Sequence, residues 1–406
     1  MYRRWIAPFV LAPLLVAGCA AARSAPTTPM AAAPGDLTVE VVAEGFENAW
    51  DVGFLPDGQA LVTERGARLS LLSGTAPGAR VTPVQADLAD VQVRGEGGFM
   101  GLVVHPDFAQ SRRFTTCQTH NARPAPPPSS ASIPQGSDGN DIRLVTWQLA
   151  ADGASAQRVV DPLVGGLPLN SSGRHSGCRP TLATDGSLLV GTGDTARGAL
   201  SQDLTSLGGK ILRVDLATGG PARGNPFLMR DDPRTRLVLS YGHRNVQGVA
   251  VHPDTGRAYS AEHGPDVDDE VNRLVPGANH GWDPAQGGTA EGYDESVPMT
   301  DTGRFPQAEP AVWSSGSPTL AISGLSFLSG SQWGDLDGAL AVCALKGKKL
   351  LIMTPAADGT IASVAEPAAL DGTFGRLRAA RQGPDGALYI TTDNGGEDKV
   401  LRVTRR

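Results

Sequence analysis

Val52-Gly-Phe-Leu-Pro-Asp-Gly58, followed by Ala60-Leu-Val-Thr63, decides how this chain folds. An apolar run enters a Pro-Asp-Gly turn and a second apolar run leaves it. This is the strongest short-range hairpin signal. The unit recurs as Leu102-Val-Val-His-Pro-Asp-Phe108 and as Thr181-Leu-Ala-Thr-Asp-Gly186 with Ser187-Leu-Leu-Val190. It recurs again as Val249-Ala-Val-His-Pro-Asp254 with Ala258-Tyr-Ser260, and more loosely as Trp333-Gly-Asp-Leu-Asp-Gly338 with Ala339-Leu-Ala-Val342. The last copy is Gln382-Gly-Pro-Asp-Gly386 with Ala387-Leu-Tyr-Ile-Thr391. Each unit is roughly sixty residues apart on average, enough for four strands with loops, and no convincing helical period separates the copies. The expected fold is all-β: a six-bladed β-propeller of four-stranded antiparallel blades.

Outward from the repeats, the two ends of the chain suggest ring closure. Lys399-Val-Leu-Arg-Val-Thr404 is expected to pair with Leu37-Thr-Val-Glu-Val-Val42 and remove an exposed sheet edge. Ala122 to Gly139 and Asp283 to Ser317 read as inserts. Of 406 residues, 51 are glycine and 31 proline, which favours turns over long helices. The net charge of −7 and the lack of a basic face argue against a nucleic-acid partner.

Residues 1–18 have the form of an export signal: basic Met1-Tyr-Arg-Arg4, an apolar stretch from Trp5 to Ala17, then Val16-Ala-Gly-Cys19. That ending resembles a bacterial lipoprotein signal. On this resemblance Cys19 is the lipidated residue, 19–36 a flexible tether, and 37–406 the propeller, held at the cytoplasmic membrane's outer face or in the periplasm. Plain signal cleavage that removes Cys19 is the alternative. Of Cys117, Cys178 and Cys343, two can pair and leave one over; spacing does not say which.

Polar loops sit beside the repeats. Val93-Arg-Gly-Glu-Gly-Gly-Phe-Met-Gly101 leaves backbone amides open to a ligand. Asn170-Ser-Ser-Gly-Arg-His-Ser-Gly-Cys-Arg179 carries His175, a side chain suited to general-base work. Tyr241-Gly-His-Arg-Asn-Val-Gln-Gly248 and Glu262-His-Gly-Pro-Asp-Val-Asp-Asp-Glu270 gather histidines, an arginine, an asparagine and carboxylates. Ala344-Leu-Lys-Gly-Lys-Lys349 leaves a strand, and Arg376 and Arg378 alternate across Leu377 so as to share a face. Taken singly, each of these also reads as an ordinary solvated loop.

Together they carry a resemblance. Tyr-Gly-His-Arg-Asn-x-Gln-Gly, then Glu-His-Gly-Pro-x-x-x-Asp-Glu-x-Asn, then Gly277-Ala-Asn-His-Gly-Trp282, resemble the soluble pyrroloquinoline quinone (PQQ)-dependent sugar dehydrogenases of the glucose/sorbosone or aldose type. Gly98-Phe-Met-Gly-Leu-Val-Val-His-Pro-Asp-Phe108, Gly193-Asp194, Leu207-Gly-Gly-Lys-Ile-Leu-Arg213 and Ser323-Gly-Leu325 extend the likeness across nearly all of 37–404. The resemblance implies an enzyme that oxidises the anomeric carbon of an aldose to a lactone, with PQQ and calcium as cofactors and an external electron acceptor as partner. It implies His175 as general base and Arg244 as the group stabilising charge on the quinone. Arg244, Asn245, Lys346, Arg376 and Arg378 become cofactor contacts, since guanidinium and ammonium groups suit a polycarboxylate. Gly264 and Pro265 become carbonyl ligands to calcium. Glu270 and Asp294 become candidate ligands to a second calcium. His243 and His263 yield to His175 as the base.

The pattern also has departures. Glu96 stands near the cofactor where the best-known members carry glutamine, and a carboxylate beside a polyanion is unfavourable unless protonated or turned away. Cys178 replaces a glycine of the histidine motif, and Pro180 follows Arg179. Arg174 stands where relatives often carry Asp or Asn to orient the imidazole. A non-catalytic propeller binding module of the cell envelope, with the same ancestry, is the alternative that these changes favour. A calcium-dependent propeller hydrolase such as a lactonase is a third; no dense carboxylate ring in sequence order supports it.

Overall fold

The computed structural model describes residues 28–31, 37–122, 139–286 and 292–406. Residues 1–27 with Cys19, most of the expected tether and most of the Ala122–Gly139 insert lie outside the described residues. Within the tether stretch, Met30 forms a bridge with Val364, and Ala31 N–H donates to Val364 O at 2.7 Å.

The described residues form six four-stranded antiparallel sheets, as the repeats predict. We number the blades from Ala49. The innermost strands are Ala49–Phe54, Phe99–Val104, Arg179–Leu182, Val246–Val251, Ile322–Phe327 and Leu377–Gln382, one per blade. Each repeat in the sequence is the hairpin between an innermost strand and its neighbour. In blade 1, Val52 pairs with Val62 and Gly53 with Leu61 across the Pro-Asp-Gly turn. Gly58, Gly186 and Gly386 take φ of 86°, 82° and 79°, the left-handed region such a turn demands. The copy ending in Asp107-Phe108 has no glycine there, and the chain instead makes a short helix, Phe108–Ser111.

Strands such as Ala60–Glu64 and Leu340–Ala344 are buried along their whole length. Both faces of these sheets are covered by neighbouring blades. That explains continuous apolar runs where a half-exposed strand would alternate. The ring closes in blade 6, where Leu37–Phe46 pairs antiparallel with Asp398–Arg405, from Leu37 opposite Arg405 to Phe46 opposite Asp398. This is the expected closure.

Around the axis, Asp51 from blade 1 forms an ion pair with Arg179 of blade 3, Nη1 at 2.8 Å, and accepts a hydrogen bond from Arg381 Nη2 of blade 6 at 2.7 Å. Arg179 lies over the Trp50 ring, 4.2 Å from its centroid. Charges this deeply buried persist only when paired, and here one carboxylate answers two guanidiniums.

The disulfide is Cys117–Cys178, bridging blade 2 to the loop that enters blade 3, and Cys343 is a buried free thiol.

Candidate active site

The Pro-Asp-Gly turns occupy one face of the ring. On the other, the chain enters each innermost strand, and those entry loops carry the polar residues. Glu96 precedes Phe99–Val104, His175 precedes Arg179–Leu182, and Arg244 and Asn245 precede Val246–Val251. Two loops between outer strands end on the same face, one with Gly264 and Pro265, one with Lys346. A cavity of about 340 Å3 lies among them, lined by Glu96, Arg174, His175, Arg244, Asn245, His263, Gly264, Pro265, Asp266, Asp269, Glu295, Thr319, Ala321 and Lys346.

His175 is buried, with φ of 53°, a backbone conformation that non-glycine residues hold only when their surroundings enforce it. The enforcement is backbone packing. Glu96 N–H donates to Gly173 O at 3.1 Å, and a Cβ on Gly173 would fall 1.7 Å from Arg94 O. Only glycine lets the two loops interlock, which sets Glu96 beside the histidine.

The imidazole has an orienting partner after all. Its Nδ1 lies 2.7 Å from Asp194 Oδ1. Burial pushes the Asp194 carboxyl up, but His175, Arg244 and the Trp282 N–H together hold it below the usual range. An ionised Asp194 can only accept, so the Nδ1 proton belongs to the histidine and the Nε2 lone pair faces the cavity. Trp282 Nε1 and the Tyr293 hydroxyl both donate to Asp194 Oδ2, at 2.8 Å each. Arg174, expected to leave the histidine unoriented, instead donates from Nε to His175 Nε2 at 3.3 Å.

Glu96 is ionised as well. Burial acts against this, but hydrogen bonds from the Asn245 amide and the His175 backbone hold the carboxyl low. Its Oε2 accepts from Asn245 Nδ2 at 2.9 Å and Gln247 Nε2 at 3.1 Å, so the carboxylate is turned onto amides.

Arg244 donates to Glu295 Oε1 at 2.6 Å and to His263 O at 2.9 Å, while its Nε is buried without a partner. His263 Nε2 is likewise buried and unpartnered, and burial pushes that ring down to about 3, so it stays neutral. Lys346 Nζ spends one donor on Thr319 Oγ1 at 3.1 Å. Buried nitrogens without a partner are uncommon, and two of them belong to residues lining this cavity.

The Gly264 amide donates to Asp269 Oδ1 at 3.0 Å. Among the described residues, no hydrogen bond is made to the Gly264 or Pro265 carbonyls that line the cavity.

The structure does not bring every expected residue here. Arg376 and Arg378 lie off the cavity. Arg376 Nε donates to Asp393 O at 3.0 Å, and Arg378 grips the Asp393 carboxylate through two nitrogens. Arg378 reaches the site only through Gln247, whose Oε1 accepts its Nη1 at 3.1 Å. Glu270 is buried beside Glu262, sharing the Asn272 amide with it. Burial pushes Glu262 up to about 8 and Glu270 well above its ordinary value. Asn272 Oδ1 is buried and unpartnered. Asp294 is an exposed turn residue whose carboxylate is taken by Ser296 and Gln286.

Sequence reasoning gave no role to Asp194, Tyr293 and Glu295. Gly193-Asp194 closes a strand in the same blade as His175, which is the one local signal for it. Tyr293 and Glu295 sit in an insert and offer none.

Comparison with known proteins agrees with the architecture. The family described as Glucose / Sorbosone dehydrogenase matches residues 46–402. The aldose sugar dehydrogenase YliI of Escherichia coli (strain K12) is 30% identical over 384 residues, 92% of this chain and 95% of that protein. The structure of the PQQ-bound form of aldose sugar dehydrogenase from Streptomyces coelicolor superposes with a TM-score of 0.69 at 29% identity, over 92% of this chain and 99% of that one. The apo-form crystal structure of the soluble Escherichia coli aldose sugar dehydrogenase gives a TM-score of 0.72 at 29% identity, over 91% of this chain and 100% of that one.

Proposed function

Because the chain belongs to the Glucose / Sorbosone dehydrogenase family, we propose that it is a quinoprotein oxidoreductase that converts aldose sugars to lactones with PQQ and calcium. The observation that carries this reading is the His175–Asp194 pair at a cavity lined also by Arg174, Arg244 and Lys346. PQQ, when bound, supplies an ortho-quinone that accepts hydride. Arg244, Asn245 and Lys346 would hold it, with Glu96 bracing the Asn245 and Gln247 amides beneath. Gly264 and Pro265 would hold calcium through their carbonyl oxygens. Glu270 would serve a second calcium beside Asn272, with Asp294 a weaker candidate.

His175 Nε2 takes the proton of the anomeric hydroxyl as hydride departs from the same carbon. Asp194 keeps Nδ1 protonated and stabilises the imidazolium that forms. Arg244 would present its positive charge to the bound quinone. Arg376 and Arg378 add positive potential from behind Gln247. An external electron acceptor completes the cycle.

Export fits this reading. Disulfides persist in oxidising compartments, and Cys117–Cys178 is one. On the resemblance of Val16-Ala-Gly-Cys19 to a lipoprotein signal, we propose residues 1–18 as the signal, Cys19 as the lipidation site and 37–406 as the catalytic propeller.

The test is reconstitution of the purified protein with PQQ and calcium, followed by dye reduction across a panel of aldoses. Turnover is expected with at least one sugar; none with any would sink the reading. His175→Ala should cut turnover by about 10²–10⁴-fold, the usual worth of a positioned base, and leave PQQ bound.

A further inference from the structure

Arg174 occupies an unusual position. One edge of its guanidinium carries two parallel N–H donors. Nε donates to His175 Nε2 at 3.3 Å, and Nη2 donates to Glu295 Oε1 at 2.6 Å. The first acceptor is the lone pair assigned above to the substrate. The second is a carboxylate independently held by Arg244, so it remains in place if Arg174 leaves. Arg174 itself is loosely seated. Its side chain is 44% exposed, and besides these two contacts it rests on the Tyr293 ring, 5.5 Å from the centroid. Burial works against the charge of Glu295, but Arg174 and Arg244 hold the carboxyl below its ordinary range, so it stays a strong acceptor.

A sugar with neighbouring hydroxyls presents two O–H donors side by side, the same arrangement as a guanidinium edge. We propose that Arg174 guards the base by filling the places of the reacting hydroxyl and its neighbour, with His175 Nε2 and Glu295 as the two acceptors. The substrate enters by displacing this edge. Glu295 then accepts from the hydroxyl next to the oxidised carbon and makes that hydroxyl a requirement. Arg174, released, keeps its stack on Tyr293 at the rim. Arg174 is thus a guard and Glu295 a specificity residue. The inference rests on the reading of His175 as base, and its first test does not need the cofactor.

Diethyl pyrocarbonate acylates a neutral imidazole nitrogen that has a free lone pair. In the apo-protein, the rate at His175 is read by peptide mass mapping. Arg174→Met is expected to raise that rate several-fold, with the other histidines unchanged. Glu295→Gln, which loosens the anchor of the same edge, should raise it less. An unchanged rate at His175 in Arg174→Met, in protein whose circular dichroism matches the parent, overturns the guard. In the reconstituted enzyme, an aldose is then compared with its 2-deoxy counterpart. The loss in kcat/KM on removing the hydroxyl should be at least ten-fold in the parent and shrink to near unity in Glu295→Gln. An equal loss in both proteins overturns the role of Glu295. If no aldose is turned over, the enzymatic reading falls and the hydroxyl requirement falls with it, while the apo-protein rates still decide the guard.

Discussion

At Asp393 one residue answers three neighbours. Its carboxylate takes Arg378 through two nitrogens and Asn48 Nδ2 at 2.6 Å, and its carbonyl takes Arg376. Burial opposes the charge, yet Arg378 and Asn48 pull the carboxyl down to about 2 from an ordinary 3.8. A depressed carboxyl contributes stability that is present above the unfolded value and disappears as pH falls through the folded one. The window therefore runs from about pH 4 to about pH 2, and the contribution is about 2 kcal/mol. Asp393→Asn should lose at least that much at pH 7, because it also leaves Arg378 buried and unpaired. Denaturant unfolding from pH 7 to pH 3 should show the gap to the parent narrowing only below pH 4; a gap constant with pH would refute the assignment. The same residue explains why sequence placed the arginine pair at the cofactor. Alternation across Leu377 gives a shared face but not the Asp393 that both arginines meet there. His175, Arg244, Asn245, Gly264, Pro265 and Lys346 were legible because each lies in a contiguous motif beside a repeat. Tyr293 and Glu295 were not, since their contacts reach across 118 and 121 residues from a loop with no pattern.

The element that holds the chemistry is the loop from Gly173 to Cys178. It is fixed from one side by Gly95 and Glu96, and from the other by Cys117 on the blade-2 strand Arg113–His120. A cysteine in place of the motif's glycine looked like a threat to this loop. It is instead a tie to the neighbouring blade. No spacing rule could have paired it, because three cysteines allow three pairings and only the packing of two blades selects one. The bridge encloses a separation of 61 residues, for which chain entropy gives a ceiling of about 4 kcal/mol. Cys117→Ser with Cys178→Ser should lower the melting temperature and reduce kcat more than it changes KM, as the base loses its fixed position. Calorimetry and steady-state kinetics check both. A variant that melts earlier with kcat intact would show the bridge to be structural alone.

For the whole molecule, the repeats carried almost everything. Six turn signals placed six innermost hairpins, and the two end strands announced their own pairing. The irregular spacing came from inserts, which add loops and leave the blade count unchanged. Closure by Leu37–Phe46 protects the long edge of Asp398–Arg405. Removing residues 1–46 should expose that edge, and size-exclusion chromatography should find aggregate in place of monomer; a stable monomer would mean that the ring closes without this strand. The axis itself has a further consequence. The active-site cavity and the cavity on the turn face, lined by Thr181, Arg381 and Phe327 among others, share no lining residue. Between the blades Asp51, Arg179 and Arg381 knot the centre of the ring. The propeller is therefore a cup and not a pipe. On the proposed function, sugar and product would pass through the opening over His175, and an electron acceptor would approach the same face. A vessel with one door would make its visitors take turns, and the proposed function then implies that sugar, product and acceptor bind in succession.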